Sequence, residues 1–224
     1  MKLNEGLIVS CQALKDEPMY GGDSIKKFAY AAYLAGAKGI RANTVKDING
    51  IYHKLKGQLP IIGIIKKVYD DSEVYITPTL KEVKKLMRSK CDVIALDATL
   101  RYRHNGEKLE DLVNYIRNHS NKLIMADCAT LEEAKNAEKL GFDYVSSTLR
   151  SYTEETKGIK IPDIEFTKSL LKEITKTNVI FEGGIDSPQA LKNVLNTGVK
   201  YVVIGGAITR PLQITKRYLK EFEN

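Results

Sequence analysis

NVIFEGGIDSPQALKNVLNTGVKYVVIGGAITRP, residues 178–211, is the stretch that decides the fold. It opens with an apolar run, NVIFEGG (178–184), and closes with a second, YVVIGGAI (201–208). Both are too short for a typical helix and rich in β-branched residues. Their apolarity is continuous rather than alternating, as expected of strands buried on both faces of a parallel sheet. Between them SPQALKNVLNTG (187–198) spaces its apolar residues as a helix does. Ser187 is placed to cap its start, Pro188 suits the first helical position, and Gly198 suits the stop. The stretch therefore reads as strand, helix, strand.

Outward from this unit the same grammar repeats. Apolar runs recur at LIVSCQ (7–12), GIRAN (39–43), IIGIIK (61–66), VIALDAT (93–99), KLIMADCA (122–129) and YVSSTL (144–149). Amphipathic segments separate them; LEEAKNAEKLG (131–141) ends on a glycine suited to a C-cap. AAYLAGAKGI (31–40), LGFDYV (140–145) and TGVKYV (197–202) each pass from a helix end through glycine into a strand. Eight such strands in 224 residues give about 28 residues per unit, the size usual for a (β/α)8 barrel. No linker or low-complexity tract interrupts the series. The expectation is an α/β fold, a single-domain (β/α)8 TIM barrel of the phosphate-binding type spanning 1–224. An open doubly wound sheet is the main competitor, and the even spacing favours closure.

Composition narrows the function. With 43% apolar and 28% charged residues the chain is globular, and no run approaches the length of a membrane span. The N-terminus lacks the apolar core of a signal peptide, so a cytoplasmic location is expected. Cys11, Cys91 and Cys128 are sparse and lack metal-type spacing, which suits small buried thiols in a reducing compartment. The net charge of +7 comes from basic residues spread over many segments, without a tight cluster interleaved with aromatics. Nucleic acid and membrane are therefore not expected partners.

Barrel active sites form at the C-terminal ends of the strands. The polar residues closing the apolar runs are Gln12, Arg41, Lys66, Asp97, Asp127, Thr148, Glu182 and the Gly205–Gly206 pair. Strand alternation puts Ile62, Ile64 and Lys66 on one face and Lys67 on the other. If Lys66 faces the mouth, desolvation and a neighbouring cation such as Arg41 would lower its pKa and free the amine for proton transfer. The alternative is a structural lysine paired with Asp97 or Asp127. Glu182 lies four units on, across the barrel. It either moves a proton or orients a substrate hydroxyl, or pairs with Arg41.

The loops after strands 7 and 8, EGGI (182–185) and IGGAITRP (204–211), carry the more specific signal. Glycines let backbone N–H groups approach phosphate oxygens, and Arg210 is placed to add charge-assisted hydrogen bonds. Gly183, Gly184, Gly205, Gly206 and Arg210 are thus the candidate phosphate site. No metal is expected: none of the histidines ends a predicted strand, His53 and His119 falling on predicted helices and His104 in the polar loop after strand 4, where it is either solvated or within reach of the mouth. No complete Rossmann or Walker sequence occurs, so no nucleotide cofactor is expected. The acidic YDDSEVY segment (69–75) is either a lid or ordinary loop packing.

SCQAL (10–14), IRAN (40–43), PIIGIIK (60–66), YITPT (75–79), IALDAT (94–99), MAD (125–127), TLEEA (130–134), EGGI (182–185) and GGAITRP (205–211) together resemble the N-acylglucosamine-6-phosphate 2-epimerase family, also called N-acetylmannosamine-6-phosphate epimerases. The likeness runs in order along nearly the whole chain. It implies a cofactor-independent epimerase of a phosphorylated N-acyl amino sugar in sialic-acid and amino-sugar breakdown. It implies Lys66 as the catalytic lysine and Glu182 as the active-site glutamate. Gln12, Arg41 and Asp127 match substrate-contacting positions, and Arg210 with the nearby glycines matches the phosphate site. A homodimer is also implied. The chain departs from the family's pattern at Gly184, where members often carry arginine or asparagine. Two other readings stand beside this one: a different phosphate-binding barrel enzyme, and a non-catalytic phosphosugar-binding protein.

Overall fold

The computed structural model describes residues 1–222. Its strands are β1 (Gly6–Cys11), β2 (Gly39–Asn43), β3 (Ile61–Ile64), β4 (Val93–Asp97), β5 (Leu123–Asp127), β6 (Tyr144–Ser146), β7 (Asn178–Glu182) and β8 (Tyr201–Ile204). Each pairs in parallel with its sequence neighbour, and β8 returns to β1 through registers such as Ile8↔Val203, so the sheet closes as an eight-stranded barrel. Helices α1 (Ser24–Leu34), α2 (Val45–Lys54), α3 (Leu80–Met87), α4 (Leu109–His119), α5 (Leu131–Lys139), α6 (Ile164–Glu173) and α7 (Pro188–Leu195) connect the strands. A short α8 (Gly206–Thr209) and α9 (Pro211–Lys220) follow β8.

Local chemistry explains the helix starts. The Ser187 hydroxyl accepts from the Ala190 amide, with Pro188 in the first turn of α7. Thr130 and Glu133 form a reciprocal capping box at α5. Asp163 accepts from the Phe166 amide at α6.

Strand alternation then sorts every side chain into one of two cores. Outward residues such as Val9, Ile40, Ile94, Leu96, Ile124, Val145 and Phe181 pack under the helices. Inward residues such as Ile8, Ile62, Ile64, Val93, Ala95, Met125, Tyr144, Ile180 and Val203 fill the barrel. Continuing the inward rows by one step past the apolar layer reaches Ser10 and Gln12, Arg41, Lys66, Asp97, Asp127, Thr148 and Glu182. The polar residues that close the strands are thus the top layer of the barrel interior.

Two boundaries differ from the sequence reading. The run IIGIIK ends as a strand at Ile64, and Lys66 instead bridges Ile76 in antiparallel fashion. Arg41 lies within β2, two residues before its end. Barrel closure demands only four paired residues from β3; the chain beyond them folds back on itself as a hairpin.

Candidate active site

A cavity of about 220 Å³ opens at the C-terminal mouth of the barrel. Gln12, Arg41, Lys66 and Glu182 line it, together with Gly183, Gly184, Gly205, Gly206 and Arg210. Its floor is an ion cluster centred on Arg41, whose side chain is 1% exposed. The guanidinium grips Asp127 with both terminal nitrogens, at 2.9 and 2.6 Å. One of them also donates to Glu182 Oε2 at 2.8 Å. The Thr148 hydroxyl bridges the two carboxylates, 2.7 Å from Asp127 and 3.1 Å from Glu182. Asp127 is fully buried and is not part of the cavity lining. The resemblance implies a substrate contact there; the Asp127 carboxylate belongs to the same polar layer as Arg41 and Glu182 and is bound by Arg41 and Thr148.

This arrangement sets the electrostatics. Burial pulls against the Arg41 charge, but Asp127 and Glu182 outweigh it and hold the guanidinium protonated. Burial pushes the Glu182 carboxyl above the usual range, against the pull of Arg41, and neighbouring Asp127 pushes the same way.

Lys66 faces this cluster across the cavity. Its backbone is fixed by an amide bond to Asn43 Oδ1 at 3.0 Å and by the bridge to Ile76. Among the described residues its amine makes no ion pair, so neither Asp97 nor Asp127 neutralises it. Asp97 is instead taken by Arg101 at 2.9 Å and by Thr99. Burial lowers the Lys66 pKa, and the charges of Arg41 and Arg210 lower it further. Lys67, the other member of the pair, is exposed and lies over the Tyr69 ring.

The glycine loops lie beside Arg210. None of the amides of Gly183, Gly184, Gly205 and Gly206 enters a hydrogen bond with another described residue, and all four residues line the cavity. That is the donor set an anion requires. Arg210 is held by Glu17 at 3.2 Å, a partner that the sequence reading did not anticipate. Gly184 has φ +73°, and a Cβ there would fall 2.6 Å from the Ile161 carbonyl carbon and 2.7 Å from the Pro162 nitrogen. The loop between β6 and α6 thus occupies the space that a side chain at this position would need. Gly184→Ala is expected to destabilise the protein by more than about 1 kcal/mol, seen as a lower melting temperature with the cavity residues unchanged.

Ser10, Tyr75, Thr148 and Tyr152 also line the cavity. Thr148 and Ser10 follow from strand alternation. Tyr75 and Tyr152 come from loops, where no period applies. His104 pairs with Asp71 at 2.5 Å and stacks on Tyr69, clasping the tip of the 69–75 hairpin rather than lining the cavity. His53 and His119 lie on α2 and α4. The three cysteines are free and buried. Among the described residues no three His, Cys, Asp or Glu side chains gather as a metal site.

A closed parallel barrel whose top layer presents an unpaired lysine, a buried carboxylate–guanidinium cluster and open glycine amides defines a class, the (β/α)8-barrel enzymes with an ionisable site at the strand C-termini. The chain belongs, within that class, to the N-acetylmannosamine-6-phosphate epimerase family: residues 25–224 match the family described as "Putative N-acetylmannosamine-6-phosphate epimerase". It is 51% identical to a Staphylococcus aureus (strain JH9) protein named "Putative N-acetylmannosamine-6-phosphate 2-epimerase", over 99% of this chain and 100% of that one. The structure superposes on the N-acetylmannosamine-6-phosphate 2-epimerase from Clostridium perfringens with a TM-score of 0.91 and 52% identity, covering 96% of this chain and 92% of that one. A thiamine phosphate pyrophosphorylase from Pyrococcus furiosus shares the fold alone, with a TM-score of 0.64 at 17% identity over 96% of this chain and 95% of that one.

Proposed function

We propose that this protein interconverts N-acetylmannosamine 6-phosphate and N-acetylglucosamine 6-phosphate by proton transfer at C2, without a cofactor, in the breakdown of sialic acid and amino sugars. The observation that carries the reading is an unpaired, partly desolvated Lys66 facing Glu182 across a cavity edged by open glycine amides. In the open-chain sugar the C2 hydrogen is acidified by the adjacent C1 carbonyl. Neutral Lys66 removes that proton. The C–H electron pair becomes the C1=C2 bond, and the carbonyl pair moves to the oxygen as an enolate. A proton returned to the opposite face inverts C2. Glu182, whose carboxyl is biased toward its neutral form, returns that proton, and exchange with water then resets both groups; or Glu182 assists ring opening while Lys66 serves both faces.

Gln12, Arg41 and Asp127 form the sugar side of the site, with Asp127 also holding Arg41 in place. Gly183, Gly184, Gly205, Gly206 and Arg210 hold the phosphate, which anchors the substrate while C2 changes geometry. Arg210→Ala is expected to raise KM on the order of 10–100-fold, the worth of one or two hydrogen bonds to a charged group, with a much smaller change in kcat. An unchanged KM refutes the phosphate contact.

We further propose a homodimer in the cytoplasm. Helix α9 buries none of its residues, and Leu212, Tyr218, Leu219 and Phe222 around it are exposed. Free buried thiols suit a reducing compartment. Among the described residues no helix is long and apolar enough to cross a membrane. The activity is tested by proton NMR of anomeric signals after mixing with N-acetylmannosamine 6-phosphate. Conversion to the gluco isomer is expected, with none from the unphosphorylated sugar at equal concentration. Failure to convert the phosphosugar overturns the reading.

A further inference from the structure

Removal of the C2 proton places a negative charge on the C1 oxygen, and the cavity offers few donors to meet it. Both terminal nitrogens of Arg41 are committed to Asp127 and Glu182. The remaining Arg41 Nε is unpartnered but buried below the cavity surface. Gln12 Nε2 donates one of its two N–H groups to Ser10 Oγ at 2.8 Å, the other is left for the sugar, and its unpartnered Oε1 is an acceptor. The Thr148 hydroxyl is spent on the two carboxylates.

Tyr75 differs from all of these. Its ring packs against the cluster that fills the barrel interior, while the residue lines the cavity. Its backbone is tied to the strand-like segment that carries Lys66: the Lys67 amide donates to the Tyr75 carbonyl at 2.9 Å, and Ile76 bridges Lys66. The hairpin beyond it is clasped at its tip by Asp71 on His104 and by the Ser72 hydroxyl on the Tyr102 carbonyl at 2.7 Å. Among the described residues its hydroxyl makes no hydrogen bond. It lies within electrostatic reach of Arg41 and Asp127.

We propose that Tyr75 is a catalytic residue of this site, whose phenol O–H donates a hydrogen bond to the C1 oxygen as it becomes an enolate. The hydrogen bond strengthens as charge develops, and the phenol proton stays on Tyr75 throughout. Burial pushes the phenol up to about 12, with Asp127 and Asp97 adding to the shift, so the donor keeps its proton at neutral pH. The proposal rests on the epimerase reading. A neutral donor suits this site, because it stabilises the enolate without adding a cation beside Lys66.

Tyr75→Phe keeps the ring and removes only the donor. Its kcat is expected to fall on the order of 10²–10³-fold, with KM within a few-fold of wild type and an unchanged melting temperature. A kcat equal to wild type overturns the proposal, as does a loss confined to KM. A second variant carries 2,3-difluorotyrosine at position 75, whose more acidic phenol loses its proton at lower pH. Its kcat profile is expected to gain a descending limb at alkaline pH that wild type lacks. A profile superimposable on wild type contradicts the role. Wild-type turnover tests the epimerase reading itself; the ratio of each variant to wild type tests Tyr75.

Discussion

Lys66→Ala is expected to lower kcat on the order of 10²–10⁴-fold, the range that general acid–base groups contribute, while the phosphosugar still binds. The amine is the one basic group at the mouth that no carboxylate neutralises among the described residues, and the glycine loops and Arg210 that would hold the phosphate are separate from it. Lys66→Arg should fail equally, because guanidinium does not shed its proton near neutral pH. The pH dependence follows from the sign of the shift. Burial, Arg41 and Arg210 all favour the neutral amine, so its pKa is lowered. The active form is the deprotonated one. Activity should therefore rise with pH through a midpoint below the ordinary lysine value and hold above it. Steady-state rates of wild type and both variants, with isothermal titration of the phosphosugar into Lys66→Ala, check these points. Near-normal turnover of the alanine variant removes Lys66 from the chemistry.

Arg41→Met carries the largest expected effect on stability. The side chain is 1% exposed and neutralises two carboxylates that have no other cation at hydrogen-bond distance. Removing one partner from a buried pair costs about 3–5 kcal/mol. For a chain of this size that lowers the melting temperature on the order of 10 °C. The loss should depend on pH. Without the guanidinium, which pulls the Glu182 carboxyl down, burial holds it still further above its unfolded value. Carboxylates shifted upward stabilise the fold while protonated, and that contribution is lost as pH rises through the raised folded value. The variant should therefore melt at progressively lower temperature from acidic toward neutral pH. Calorimetry across that range reads the effect, and a melting temperature within 2–3 °C of wild type throughout would falsify the claim that this cluster is a buried, mutually dependent unit.

The fold was legible because both of its signals are local. A strand buried on both faces writes itself as a continuous apolar run, as NVIFE does, and Ser187–Pro188 marks a helix start within two residues. The inward row was equally readable, since alternation from Ile62 and Ile64 delivers Lys66 to the mouth although pairing stops at Ile64. What alternation cannot carry is distance across the barrel. Arg41 meets Asp127 and Glu182 from 86 and 141 residues away; the Glu182–Arg41 pair stood among the alternatives, but no local pattern adds Asp127 to it. Residues delivered by loops are harder still. Tyr75 reaches the cavity because the chain after β3 doubles back as a hairpin, and Glu17 reaches Arg210 from the loop after β1. Gly184 shows the same limit from the other side. What leaves no room for a side chain there is the backbone at Ile161–Pro162, more than twenty residues earlier in the chain.

The central claim is that a lysine from the third unit takes a proton from the substrate in a pocket that also holds its phosphate. Incubation with N-acetylmannosamine 6-phosphate in deuterated water, with a chelator present and no nucleotide added, reads that step at the carbon concerned. Deuterium should accumulate at C2 of N-acetylglucosamine 6-phosphate in wild type and be lost in Lys66→Ala. Product that retains its original C2 hydrogen, or exchange that survives loss of Lys66, contradicts the account.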